Sequence, residues 1–239
     1  MMRFNEKANM YDGNAIAQRD AALWGAQWIE DSLDGRIIKE FGAGTGLFSE
    51  ELIKRAPERF YASDVSEKMV IEGTKKLPNI AWSTENAWEP NTGKYDRIYS
   101  SSLLQWARDP VMALRKWTNG LNEGGKMLHI FFVKGSLCEL NDVMPRLKGL
   151  EWRDCAYWLN AFVQAGITLT RYSEKVNKYY YPDVFTILKQ LRDSGVTPEK
   201  SVGRQQTILR QAIINYDKRY RSAAGVPCTW SVMRIECCI

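Results

Sequence analysis

Residues 36–46 read Arg-Ile-Ile-Lys-Glu-Phe-Gly-Ala-Gly-Thr-Gly, an apolar run that breaks into three glycines on alternate positions. Arg36 to Phe41 is short and rich in β-branched and aromatic residues, as a strand requires, and the glycines end it sharply. Glycine accepts positive φ and carries no side chain. A strand that turns through Gly42-Ala43-Gly44-Thr45-Gly46 into a helix therefore lets a ligand approach its backbone closely. A dinucleotide site favours GxGxxG; here the spacing is GxGxG, with Glu40 two positions before the first glycine. Further on, Asp64 closes a second strand, where a carboxylate can accept hydrogen bonds from both hydroxyls of a ribose. A glycine turn alone reads as a structural loop. With Glu40 and Asp64 in strand positions it points to a nucleoside ligand with an amino-acid tail and no required phosphate.

Outward from this stretch, hydrophobic periodicity alternates between strand and helix. Upstream, Asn14 to Leu33 carries Ile16, Leu23, Ala26, Trp28, Ile29 and Leu33, which predicts an amphipathic entry helix. Downstream, Leu47 to Ala56 reads as a helix ended by Pro57, Phe60 to Asp64 as the second strand, and Ser66 as the cap of the next helix. Ile80–Trp82 and Asp96–Ser100 are the third and fourth strands, with a helix over Pro110–Trp117 closed near Gly120. Met127 to Val133 is too apolar for an edge and predicts a central strand buried on both sides. The rhythm predicts an α/β fold: a Rossmann-like, mostly parallel sheet with helices on both faces. Ligands then sit beyond the carboxyl ends of the strands.

After Ser136 the signals weaken. Helices are expected near Ser136–Leu147, Trp158–Ala165, Asp183–Asp193 and Thr207–Tyr220, and strands at Thr168–Lys175 and Thr229–Cys237, the last one antiparallel. No repeat or linker divides the chain, so residues 1–239 are read as one domain. Residues 1–35 are its entry segment, 36–133 the cofactor core, 134–225 a helical cap with the C-terminal helices, and 226–239 the last strand.

Hydrophobic residues make up 45 % and charged residues 26 % of the 239, as in an ordinary globular protein. The net charge of +5 is weak evidence for an acidic partner. The five cysteines are irregularly spaced and form no CxxC pair, which suggests reduced thiols and a cytoplasmic location. Cys237-Cys238 reads as a strand end, since Glu236 stands where a prenylation box needs its cysteine. No apolar run nears the ~20 residues of a membrane span. Neither a metal-ligand cluster, a P-loop nor a Ser/His/Asp set is visible, and no Asp/Asn-Pro-Pro-Tyr motif suggests a nucleic-acid substrate. His129, the one histidine, falls in the middle of the apolar strand and reads as a core residue.

Residues Glu40–Gly46, Asp64, Tyr95-Asp96-Arg97-Ile98-Tyr99-Ser100 and Gly124-Gly125 resemble the motifs of the class I S-adenosylmethionine-dependent methyltransferases. Within that class the chain is similar to the malonyl-carrier-protein O-methyltransferases of biotin synthesis. Leu104-Gln105-Trp106 resembles their LQW, Gly135-Ser136-Leu137-Cys138-Glu139-Leu140 their GSLxEL, and Tyr11 with Gln18-Arg19 their N-terminal pattern. Gly203-Arg204, Ile208-Leu209-Arg210 and Pro227-Cys228-Thr229-Trp230 follow their C-terminal order.

The resemblance implies S-adenosylmethionine as cofactor, leaving S-adenosylhomocysteine. It is held by Glu40, Gly42, Ala43, Gly44, Gly46, Asp64, Val65 and Ser100, with Glu85, Asn86 and Ala87 near the adenine. The family's Asp-Ala stands here as Asn86-Ala87, which leaves open the partner of the adenine amino group. The resemblance also implies a substrate side built from Tyr11, Gln105 and Trp106, with Arg204 and Arg210 holding the free carboxylate of a malonyl thioester on acyl carrier protein. A carboxylate is already ionised at neutral pH and needs no general base. A monomer with neither nucleic-acid nor membrane partner is expected. Two alternatives stay open: a methyltransferase of another small acid or metabolite, aconitate-type or quinone-type, and a non-catalytic S-adenosylmethionine-binding protein.

Overall fold

The computed structural model describes residues 11–143, 152–195 and 205–239. Seven strands form one sheet in the order β3-β2-β1-β4-β5-β7-β6. They are β1 (Ile37–Phe41), β2 (Arg59–Asp64), β3 (Ala81–Thr84), β4 (Tyr95–Ser101), β5 (Leu121–Phe132), β6 (Thr168–Tyr181) and β7 (Val226–Cys238). The first five run parallel; β7 returns antiparallel to β5, and β6 antiparallel to β7. The expected Rossmann-like sheet is present, and its antiparallel part is larger than expected because Thr168–Tyr181 is one continuous strand. The pairing of β4 with β5 slips between Tyr95↔Leu121 and Arg97↔Lys126, so Gly124 at φ 67° lies in a bulge.

Helices α1 (Ile16–Ala26), α2 (Ser49–Ile53), α3 (Glu67–Lys76), α4 (Pro110–Asn119), α5 (Cys138–Val143), α6 (Cys155–Gln164), α7 (Val184–Asp193) and α8 (Gln205–Tyr220) cover the sheet. Residues 11–14 form a further helical turn before α1. Ser66 accepts a hydrogen bond from the Met69 amide at the start of α3, and Asp109, Asp154 and Asp183 cap α4, α6 and α7 in the same way. The entry helix stops at Ala26, earlier than periodicity predicts. Gly25 lies so close to Ile130 that a Cβ would fall 2.4 Å from its Cγ1, and the Arg234 guanidinium takes the Trp24 carbonyl that a longer helix would use.

Two apolar layers hold the sheet. On one face Ile38, Ala62, Tyr99, Leu128, Ile130 and Phe132 pack with α1, α7 and α8 residues such as Trp24, Ile187 and Tyr216. On the other, Phe41, Ile98, Met127, Phe131 and Met233 pack with Trp117 of α4 and Trp158 and Phe162 of α6. β5 feeds both layers, the two-sided burial that its composition predicts. No helix among the described residues is long and apolar enough to cross a membrane.

Candidate active site

The glycine loop leaves the carboxyl end of β1 with Gly42, Gly44 and Gly46 at φ 64°, 57° and 92°. The first two glycines serve different ends. A Cβ on Gly42 would fall 2.7 Å from Leu103 Cδ1, whereas one on Gly44 would meet nothing within 4 Å. Space is therefore kept open over Gly44, where positive φ also disfavours any other residue. Asp64, at the end of β2, accepts from the Gly44 amide at 3.0 Å and from the Ser66 amide at 2.8 Å. Burial raises its pKa against those two amides.

Glu40, one residue before the end of β1, is 1 % exposed. Burial pushes its carboxyl up to about 8, although Ser49 Oγ donates to it at 2.5 Å, and the charge of Asp64 adds to the rise. Glu40 thus lines a cleft that has no basic group among its described lining residues, with the charge of Asp64 close by. Gly42, Ala43, Gly44, Tyr11, Gln18 and Ser102 lie along the cleft, about 300 Å³ of space open to solvent. Burial and the charges of Asp64 and Asp12 raise the Tyr11 phenol. Asp12 binds Thr45 of the loop and Lys76 of α3, pinning the entry turn over the cleft.

The residues fit an S-adenosyl ligand. The place above Gly44 is empty, Asp64 carries acceptor oxygens at a strand end, and Ser102 lines the cleft with a buried hydroxyl that has no partner among the described residues. Ser102 is also held at φ 58°, an uncommon conformation for a residue with a side chain. Sequence patterns pointed to Ser100 instead. Its Oγ lies 2.8 Å from Nδ1 of His129, on the face away from the cleft, because alternate strand residues point to opposite faces. Ser101 and Ser102 take the cleft position. Glu85 is likewise directed elsewhere. It forms a buried ion pair with Lys39 and accepts from the Asn91 amide at 2.7 Å. Asn86 is exposed with its Oδ1 on the Trp88 amide, Ala87 is buried with its carbonyl on Trp117 Nε1, and Val65 is exposed.

On the substrate side, Gln105 donates from Nε2 to the Ser102 carbonyl at 2.8 Å, and its buried Oε1 has no partner among the described residues. Trp106 packs against Trp152, with ring centroids 5.9 Å apart. Arg210 is exposed on α8 and does not line the cleft, so the structure does not bring it to the site. Arg204 lies outside the described residues. Trp158 is core and Tyr180 faces solvent. His129 is fully buried against Trp117 and Phe162 of the second apolar layer, where burial lowers it to about 3 and keeps it neutral. Gln18 and Asp12 were not assigned roles by sequence reasoning. The pattern Tyr11…Gln18-Arg19 was its one trace of the former.

Residues 38–125 match the family model described as a methyltransferase domain. Solved structures agree in fold: a putative methyltransferase from Bacillus halodurans has a TM-score of 0.65 at 10 % identity over 93 % of this chain and 98 % of that one. Magnesium protoporphyrin IX methyltransferase from Synechocystis, with bound S-adenosylhomocysteine, has a TM-score of 0.57 at 16 % identity over 93 % and 82 %. Sheet order and glycine loop are those of the class I S-adenosylmethionine-dependent methyltransferase fold, and residues 38–125 resemble the methyltransferase domain. More narrowly, the chain is similar to curated proteins named malonyl-[acyl-carrier protein] O-methyltransferase. The one from Brevibacillus brevis is 25 % identical over 98 % of this chain and 93 % of its own length. The second such protein of Ilyobacter polytropus is 30 % identical over 60 % and 58 %.

Proposed function

We propose that this protein methylates the free carboxylate of a malonyl thioester carried on acyl carrier protein, the reaction that begins pimeloyl and biotin synthesis. The names of its relatives suggest the substrate, and one observation of the site carries the reading: the cleft holds no histidine base. His129 is neutral, buried and on the other side of the sheet. An acceptor that needs deprotonation would want a base within hydrogen-bond reach. A carboxylate does not.

S-adenosylmethionine, when bound, would supply a methyl group on a positively charged sulfur, and a carboxylate acceptor would have no proton to give up. The chain's own part is to bind, align and exclude water. Asp64 offers acceptor oxygens to a ribose, Gly44 leaves the backbone open, and the entry turn held by Asp12 shields the cleft. Exposed Lys189 and Lys218 suit the approach of an acidic carrier protein. We read the chain as one cytoplasmic domain acting as a monomer.

The test is methyl transfer from S-adenosylmethionine to purified malonyl-carrier protein. One methyl ester per carrier, with S-adenosylhomocysteine released in equal amount, is the expected result. Methylation of free dicarboxylic acids with none on the carrier protein would replace this reading by the aconitate-type one.

A further inference from the structure

The exposed cations of the C-terminal half are unevenly committed. Arg192 meets Asp193, Arg219 meets Asp142, Arg221 meets Asp217 and Arg171 meets Glu236. Lys189 on α7 and Lys218 on α8 are left as single charges among these pairs. A different arrangement is found where the chain leaves the carboxyl ends of β4 and β5. Arg108, Lys134 and Arg153 are all exposed there, and none of them forms an ion pair among the described residues.

Three contacts bring these residues to one place. Trp106, two positions before Arg108, packs against Trp152, the neighbour of Arg153, with ring centroids 5.9 Å apart. The Lys134 amide donates to the Arg153 carbonyl at 2.9 Å. The Arg153 guanidinium lies over the Tyr157 ring, 5.2 Å from its centroid. The segment that carries Arg108 begins at Ser102, which lines the cofactor cleft, so the patch adjoins the cleft on its β4 side.

The acids of this patch are occupied. Asp109 and Asp154 each accept at 2.9 Å, from the Met112 and Tyr157 amides, and cap α4 and α6, where their charge is set against the positive helix ends. Glu174 accepts from Cys155 Sγ and from Ser231 Oγ. Beside the cations, Met112 and Tyr157 are 48 % and 39 % exposed in the first turns of these two helices, which pack against each other. Arginine, methionine and tyrosine are residues that protein interfaces favour, and an unpaired basic rim complements an acidic surface.

We propose that Arg108, Lys134 and Arg153, with Met112 and Tyr157, form the seat of the acidic carrier protein that presents the acceptor. The inference deepens the proposed function and rests on it for the identity of the partner. A carrier protein delivers its acyl group at the end of a flexible arm, so its body must sit beside the cleft, and the segment from Ser102 to Arg108 joins the two. Lys189 and Lys218 act on the approach, where exposed charges are screened beyond a Debye length of ~8 Å in physiological salt.

The test compares the parental protein with two charge-reversed variants: Arg108→Glu with Lys134→Glu and Arg153→Glu, and Lys189→Glu with Lys218→Glu. The readouts are kcat and KM on malonyl-carrier protein, the same constants on malonyl-pantetheine, binding of unacylated carrier protein followed by NMR shifts of the carrier, and calorimetric affinity for S-adenosylhomocysteine as the check on folding. The triple variant is expected to raise KM on malonyl-carrier protein at least tenfold at low salt and to remove the carrier shifts. Its kcat, its constants on malonyl-pantetheine and its affinity for S-adenosylhomocysteine should stay within twofold of parental. The double variant should raise KM less than threefold. An unchanged KM in the triple variant overturns the seat and leaves the proposed function standing. A larger effect of the double variant moves docking to α7 and α8 and overturns the seat as well. An equal loss on malonyl-pantetheine would make the three cations partners of the acceptor carboxylate and overturn the assignment, and so would a parental protein that does not bind the carrier. Carrier binding that depends on the three residues, without any transfer by the parental protein, supports the seat and removes the proposed function.

Discussion

Lys39 and Glu40 are neighbours in β1 and send their side chains to opposite faces of the sheet, into opposite electrostatic settings. On one face Lys39 meets Glu85, both side chains 4 % exposed, in a closed ion pair. Burial pulls Lys39 below the usual lysine range. For Glu85 the burial that would raise it is outweighed by Lys39 and the Asn91 amide, so its carboxyl lies below the usual range. On the other face Glu40 has a serine for a partner and no cation, and its carboxyl is raised to about 8. The same residue type, buried on both faces and deeper at Glu40, is satisfied by a cation on one and left without one on the other, where a cationic ligand is to come. Such mismatches are what a binding site looks like before its ligand is counted.

The strongest way to break the contrast is at the open face. Gly44→Val should abolish S-adenosylmethionine binding in calorimetry, because its side chain occupies empty space that the ligand needs and sits at φ 57°. Unchanged affinity would remove the loop from the cofactor site. Next is the closed face: Glu85→Ala strands a buried ammonium and should cost roughly 3–5 kcal/mol in urea unfolding. Lys39→Met combined with Glu85→Leu should recover most of that loss, and a double variant no more stable than the single one would contradict the account.

The two faces should also answer pH in opposite directions. The native carboxyl of Glu85 titrates below the ordinary value of 4.5, so stability from that face is present above pH 4.5 and lost as pH falls through the native value. Glu40 titrates above its ordinary value, so the native state holds the extra proton. Stability from that face is fully present below about 4.5 and is lost as pH rises toward about 8. Glu40→Gln should flatten that upper slope, leaving the ligand-free variant on the order of 2–4 kcal/mol better off than the parent at the alkaline end. A parallel pair of stability curves across this window would deny Glu40 its raised value. The smallest effect is expected from Ser49→Ala, which removes the hydroxyl donor on Glu40. It should cost about 1 kcal/mol and move the Glu40 transition upward, as read from the midpoint of the stability–pH curve.

What the sequence discloses follows the range of the interaction. The loop, Asp64 and the Ser66 cap are local patterns, and each stands where the residue string puts it. Ser100 misleads because a motif shows that a strand ends but not which face its last side chains take. The left-handed turn at Ser102 then brings two consecutive serines to the cleft. The end of α1 depends on Ile130 and on Arg234, more than a hundred positions away, and no periodicity contains them. Glu85 carries a carboxylate in a plausible place, yet Lys39 reaches it first from β1, across the intervening β2.

The sheet ends in two unlike edges. β3 is four residues long, whereas β6 runs for fourteen and pairs on one side with β7. A strand of that length at an edge offers its free amides and carbonyls to any other extended chain. This one is broken by a register shift between Leu169 and Arg171, and it sets exposed Lys175 and Lys178 along its length. Those features are defences against sheet-to-sheet growth, and they matter most beside exposed Tyr172, Val176 and Tyr180. Solubility of the folded protein therefore rests partly on two lysines remote from the chemistry: Lys175→Val with Lys178→Val should leave the cofactor site intact and show concentration-dependent light scattering that the parent lacks.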